Sequence, residues 1–147
     1  MNHLLIQILL TAVTAGYSVV PVIADFNRTH ATNPLWDPHA RFHVVWQVSS
    51  YAGAALLNLY LIWFDTASDE NLLLAGGFAA CMYAGFFVAV MTKSRYGGAL
   101  YNENGYPPFK LRLGDYEVPL EPNLVVFSGI VTILLAPAVI LVLRGMI

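Results

Sequence analysis

The chain has 147 residues, of which 58% are hydrophobic and only 11% charged, with a formal net charge of −2. A soluble domain carries about 25% charged residues, so water is not the solvent that suits this composition, and the length suits one domain. No basic run could track phosphates, which excludes nucleic acid as a partner; the single cysteine, Cys81, excludes a disulfide framework and CxxC redox chemistry.

Four apolar stretches follow in chain order: Leu4–Ala24, Val44–Phe64, Leu72–Thr92 and Leu124–Leu143. Each has about the 20 residues that a helix needs to cross a bilayer, and each is too long and continuous for a barrel strand. The expected fold is therefore an all-α membrane protein. One transmembrane domain over residues 1–147 forms a four-helix transmembrane bundle, with a short β-hairpin in the third loop, residues 93–123.

The first stretch lacks a Lys or Arg ahead of its apolar run, and that run exceeds a usual signal-peptide core. A retained helix is expected. Pro21 near its end and Pro137 in the last stretch are expected to kink their helices.

The first loop holds the chemistry. Between Asp25 and His43 it carries His30, Asn33, Trp36, Asp37, His39 and Arg41, and three of the chain's four histidines fall here. Asp37 and Pro38 read as the N-cap and first position of a helix. That helix starts ahead of the apolar run and carries His39 and His43, spaced i, i+4, on one face. At about 100° per residue, Gln47, Ser50, Ala54 and Asn58 fall in the same arc, with Trp46 beside it. Polar residues inside a membrane face a bundle interior or a cavity, so an internal stripe is expected.

Two chemistries fit such a cluster. In one, His30, His39 and His43 with Asp25 hold zinc or iron, since imidazole and carboxylate suit both metals. In the other, the same histidines move protons in a metal-free pocket for a lipid, sterol or quinone-like amphiphile. Catalytic candidates are His30, His39 and His43. Candidates for substrate binding are Asn33, Trp36, Arg41, Trp46, Gln47, Ser50 and Asn58. The alternative is a non-catalytic accessory subunit of a larger membrane complex. In that case the loop residues are ordinary turn formers, and Trp36, Trp46 and Arg41 anchor at the interface. The expected partners are membrane lipids, a lipophilic small molecule, and other membrane subunits or further copies of the chain. Asn27-Arg28-Thr29 matches a glycosylation sequon, but a turn role is the expected one.

On the third stretch, Gly77, Cys81, Gly85 and Ala89 recur every four residues, a small-residue face expected to pack within the bundle. The third loop then shows turn chemistry at Asn102–Gly105. Alternating segments, Phe109–Leu113 and Tyr116–Leu120, follow around a Gly114-Asp115 turn. This hairpin is expected to cap the bundle mouth. Loops one and three hold Arg28, Arg41, Lys93, Arg95, Lys110 and Arg112, against Arg144 alone on the other side, which places those loops in the cytoplasm and both termini opposite.

The pattern D-x-N-x-T-H-x-x-N-P-x-W-x-P-H-x-R-x-H, from Asp25 to His43, resembles a motif in a family of small, functionally uncharacterised four-helix membrane proteins. The resemblance implies a fold and no activity. Emopamil-binding-like sterol isomerases and membrane glutathione transferases are similar only in scaffold, because the embedded acids of the first and the Arg/Asn/Glu pattern of the second are not reproduced.

Overall fold

The computed structural model describes residues 3–64, 68–101 and 107–146. The elements run α1 (His3–Asp25), α2 (Pro38–Trp63), α3 (Asp69–Thr92), a 3-10 turn (Lys93–Arg95), β1 (Phe109–Leu113), β2 (Tyr116–Leu120), α4 (Pro122–Gly129) and α5 (Ala136–Met146). A π-helical turn, Ile130–Leu135, joins α4 to α5, so that Pro122–Met146 forms one continuous helix. The Asn102–Gly105 turn lies outside the described residues.

Side chains at the helix starts fix their boundaries. Asp37 Oδ1 accepts the His39 N–H at 2.8 Å and Pro38 opens α2, as the sequence suggests. Glu121 accepts the Leu124 N–H at 2.6 Å ahead of Pro122. Asp37→Ala is expected to lower stability by about 1 kcal/mol, the usual worth of such a cap, read as a drop in thermal midpoint in detergent.

The π turn has a local cause. Pro137 has no N–H, and its ring crowds the carbonyl one turn earlier. Widening the preceding turn relieves that crowding, and the Ala136 N–H reaches back five residues to the Val131 carbonyl.

The helices pack up-down-up-down, with α1 touching α2, α3, the π turn and α5. Polar side chains tie α1 to α2: Asn58 Nδ2 donates to Thr14 Oγ1 at 2.9 Å, Trp63 Nε1 to Thr11 Oγ1 at 2.9 Å, and Gln7 Nε2 to the Ile62 carbonyl at 2.8 Å. Tyr83 ties α3 to α1 by donating to the Val13 carbonyl at 2.7 Å. The buried apolar core lies between these contacts, built from Leu10, Val13, Ile62, Leu72, Ala79 and Val142 among others. The outward faces are apolar as well, with Leu56, Met91 and Ile133 each at least 70% exposed.

Three stretches are long and apolar enough to cross a membrane: His3–Asp25, Asp69–Arg95 and Pro122–Met146. α2 is equally long, but it carries His39, Arg41, His43, Gln47 and Asn58.

Three expectations are corrected here. The hairpin forms with the expected strands, but it covers no bundle mouth among the described residues. Both of its faces are exposed, and its strands pair with each other rather than with the helices. The small-residue face of α3 does not pack within the bundle either: Gly77, Cys81, Gly85 and Ala89 are exposed, while Ala75, Gly76, Ala79 and Tyr83 face inward. Finally, the expected internal stripe on α2 is mostly external. His39, His43, Gln47 and Ser50 are exposed and only Asn58 is buried. The nineteen residues from His39 to Asn58 turn the helix by about 100° beyond whole turns, so these side chains do not share one direction, and Val48, Ala55, Asn58 and Ile62 define the inward face.

Candidate functional site

The bundle end where α1 stops and α2 begins holds the polar chemistry. The first-loop residues build it by closing α1 and folding back over it. Asn27 Nδ2 donates to the Ile23 and Ala24 carbonyls at 2.7 and 3.1 Å, capping the end of α1. The backbone then turns, with the Ala31 N–H bonded to the Asp25 carbonyl at 3.0 Å and the Thr32 N–H to the Asn27 carbonyl at 3.0 Å. Asn33 is buried, and both ends of its amide are used inside the loop: Nδ2 donates to the Thr29 carbonyl and Oδ1 accepts the Leu35 N–H. The sequon-like Asn27-Arg28-Thr29 is thus a turn, as expected.

This fold sets His30 against Asp25, with Nδ1 3.4 Å from Asp25 Oδ1. Thr29 Oγ1 lies 2.7 Å from the same nitrogen. The Thr29 hydroxyl also sits 2.9 Å from the Ala24 carbonyl and 2.7 Å from Asn27 Oδ1. Those two oxygens only accept, so the single hydroxyl proton goes to one of them and Oγ1 meets His30 as an acceptor. In the neutral ring this network favours the tautomer with the proton on His30 Nδ1 and the lone pair on Nε2. The Trp36 ring meets the imidazole edge to face, with centroids 4.9 Å apart.

A cavity of about 410 Å³ opens beside this pair, and all four helical segments contribute to its wall. Val20, Met82, Phe86 and Phe127 give it an apolar lining, while Asp25, His30, Gln47, Tyr51 and Asn123 give it polar groups. Pro21 also lines it, and because Pro21 has no N–H it leaves the Tyr17 carbonyl without that helical donor. A second cavity, of about 310 Å³, shares Ala24, Asp25, His30, Ala99, Leu100 and Asn123 and is closed by Trp36, Tyr101, Glu121 and Pro122. The Asp25–His30 pair therefore stands between two adjoining spaces.

The other candidates lie elsewhere. His39 and His43 meet each other, Nε2 to Nε2, at 3.1 Å on the exposed face of α2, and Phe42 and Trp46 extend this outer ladder of rings. Ser50 is on the exposed surface as well. Gln47 reaches the cavity edge and donates to the Tyr51 hydroxyl at 2.7 Å. Arg41 is half-buried, and its Nε has no hydrogen-bond partner among the described residues. Asn58 packs against Thr14 inside the bundle. The proposed ligand set thus divides into two pairs, Asp25 with His30 and His39 with His43. Among the described residues no group of three or more His, Cys, Asp or Glu side chains is arranged to hold a metal ion.

Sequence reasoning missed Thr29, Tyr51, Tyr83 and Asn123. Thr29 had a readable signal, since a hydroxyl beside a histidine in a turn is placed to orient it. Asn123 and Phe127 come from the far side of the third loop, and nothing local marks them.

The fold and site define a small helical bundle with three helices apolar enough for a membrane and, at one end of the bundle, a cavity beside a carboxylate–imidazole pair. The chain belongs to a family of unknown function, DUF6640, whose model matches residues 7–110 and so includes most of α1, all of α2 and α3, and the whole first-loop motif. No curated protein and no solved structure matches it.

Proposed function

We propose that this protein crosses the membrane four times and binds an amphiphilic small molecule, of the lipid, sterol or quinone class, at one end of its bundle. The observation that carries this reading is the 410 Å³ cavity, whose apolar wall ends at Asp25 and His30. Sites of this size, mainly apolar with a few convergent polar groups, are the usual form of a small-molecule pocket. The apolar outer faces of the bundle support the four-span topology, because side chains such as Leu56 and Ile133 would otherwise be exposed to water. The fourth span is α2, whose polar residues gather near the loop end.

Within this reading Thr29 Oγ1 accepts the His30 Nδ1 proton, the Asp25 carboxylate 3.4 Å away favours keeping it there, and Nε2 accepts a proton or a hydrogen bond from the ligand's polar group. Gln47, Tyr51 and Asn123 complete the polar end. Val20, Met82, Phe86 and Phe127 enclose the tail. The pair supplies general acid–base chemistry for a reaction on the bound molecule.

Gly85 gives the test. It lines the cavity, and a Cβ built there meets nothing within 4 Å. Gly85→Leu is therefore expected to fill the pocket without straining the helix and to raise helix stability by about 1 kcal/mol. Organic extracts of the wild-type protein, purified in mild detergent, should contain a near-stoichiometric amphiphile, and extracts of the variant should lack it while the thermal midpoint holds or rises. Equal amphiphile in both preparations would count against the pocket.

A second reading is favoured by one observation, the exposed small-residue face of α3 at Gly77, Ala80, Cys81 and Ala84. Such faces let another transmembrane helix approach closely, which suits a subunit of a larger complex. Gly77→Leu would then disperse the assembly on size-exclusion chromatography and leave amphiphile binding intact.

A further inference from the structure

The hairpin has two unlike faces. Its register pairs Phe109 with Leu120, Leu111 with Val118 and Leu113 with Tyr116, and directly paired residues project to the same side. These six apolar side chains make one face, and none of them is buried. Lys110, Arg112 and Glu117 lie on the other, where Glu117 bridges Lys110 at 3.2 Å and Arg112 at 3.4 Å. The turn is firmly specified: Gly114 has φ of 64° at the first central position, as a type II′ turn requires. Yet a lone two-stranded hairpin is marginal in water, and among the described residues none of this one's side chains is buried against the helices.

We propose that the β1–β2 hairpin is an interfacial anchor that lays its apolar face into the headgroup–acyl boundary of a lipid bilayer. The proposal rests on the four-span reading above. Its position argues for lipid as the occupant. β2 ends at Leu120 and α4 begins at Pro122, so only Glu121, which caps α4, separates them. The hairpin is thereby held at the level where an apolar helix enters the membrane. Phe109 and Tyr116 at its two ends are residue types that suit this depth. The ion pairs on the opposite face remain in water, and Lys93 and Arg95, exposed at the end of α3, add positive charge at the same bundle end for anionic headgroups. Amphipathic elements bind membranes through this division of apolar area and charge.

Spin labelling of the full chain tests the proposal. Cys81 is the only cysteine, so Cys81→Ser gives a clean background for single cysteines at Leu111, Val118, Lys110 and Glu117, and at Ile133 on the outer face of the last helical rod. The labelled proteins are placed in phosphatidylcholine vesicles with a minor fraction of phosphatidylglycerol. Accessibility is then read to oxygen, which favours lipid, and to a nickel chelate, which favours water. The oxygen-to-nickel ratio at Leu111 and Val118 is expected to exceed that at Lys110 and Glu117 several-fold and to approach that at Ile133. Water-like values at all four hairpin sites with a lipid-like Ile133 would overturn the anchor and leave the spans standing. Shielding of Leu111 and Val118 from both reagents, with dipolar coupling between labels, would overturn it in favour of a second copy of the chain. A water-like Ile133 would bring down the four-span reading, and the anchor with it.

Discussion

Gly16→Val is expected to cost about 3 kcal/mol, the upper end of what overpacking usually does, and to be the most damaging single substitution in the bundle. Gly16 faces the junction of three elements. A Cβ there would run into Tyr83 Oη of α3 and Ile130 Cδ1 of the π turn. The Ile130 methyl can swing aside, but Tyr83 does not yield freely. Tyr83 is held by its 2.7 Å hydrogen bond to the Val13 carbonyl, and moving it would break a buried bond. Its ring also packs edge to face on Tyr17 and Phe127. Ordinary helix propensity predicts the opposite sign, since Gly is about 1 kcal/mol worse than Ala in a helix. The sign of the change therefore decides between packing and propensity. Thermal or denaturant unfolding in detergent reads it. Combining Gly16→Ala with Tyr83→Phe removes the hydroxyl that the new methyl would meet, and the pair should lose less than the two single changes added together.

The second large effect is expected at His30. His30→Ala removes the imidazole between the two cavities and leaves Asp25 without its imidazole neighbour. Binding of the pocket's amphiphile is expected to fall by about tenfold to a hundredfold, the equivalent of one hydrogen bond to a charged or polarised group. Thr29→Val should give a smaller loss, because it removes the hydroxyl that fixes the ring's tautomer without removing the ring. By contrast, His39→Ala with His43→Ala should change binding less than twofold, a margin small against the tenfold steps of affinity. Those two rings are exposed and bond to each other. Thermal midpoints of all three proteins should remain close, so that a loss of binding is not a loss of fold.

The sequence was most legible where one physical rule acts locally. Asp37-Pro38 marked the start of α2, because a capping carboxylate and a missing N–H suit that single position. Gly114-Asp115 with alternating neighbours marked both strands to the residue. The loop-one cluster lies at the bundle end where the cavity opens, and the Asp25–His30 pair was among the groups it offered.

It was least legible where direction in space decides. The i, i+4 spacing of His39 and His43 placed them on one face of α2, but spacing does not say which face meets the neighbours, and here that face is turned outward. The same uncertainty affected Gly77, Cys81 and Gly85 on α3, whose small size suits either side of a helix. The hairpin's alternation gave its strands but not its covering. Met82, Phe86, Asn123 and Phe127 reach the cavity from segments far from the first loop, and no local pattern links them to it.

Native mass spectrometry of the intact protein released from mild detergent, with the wild type beside Gly85→Leu, His30→Ala and the His39→Ala/His43→Ala double variant, tests the pocket most directly. The expected result is one bound amphiphile mass on the wild type and the double variant, absent from Gly85→Leu and reduced on His30→Ala. A wild type that carries no bound mass, or the same adducts on all four proteins, would contradict a binding site at Asp25 and His30.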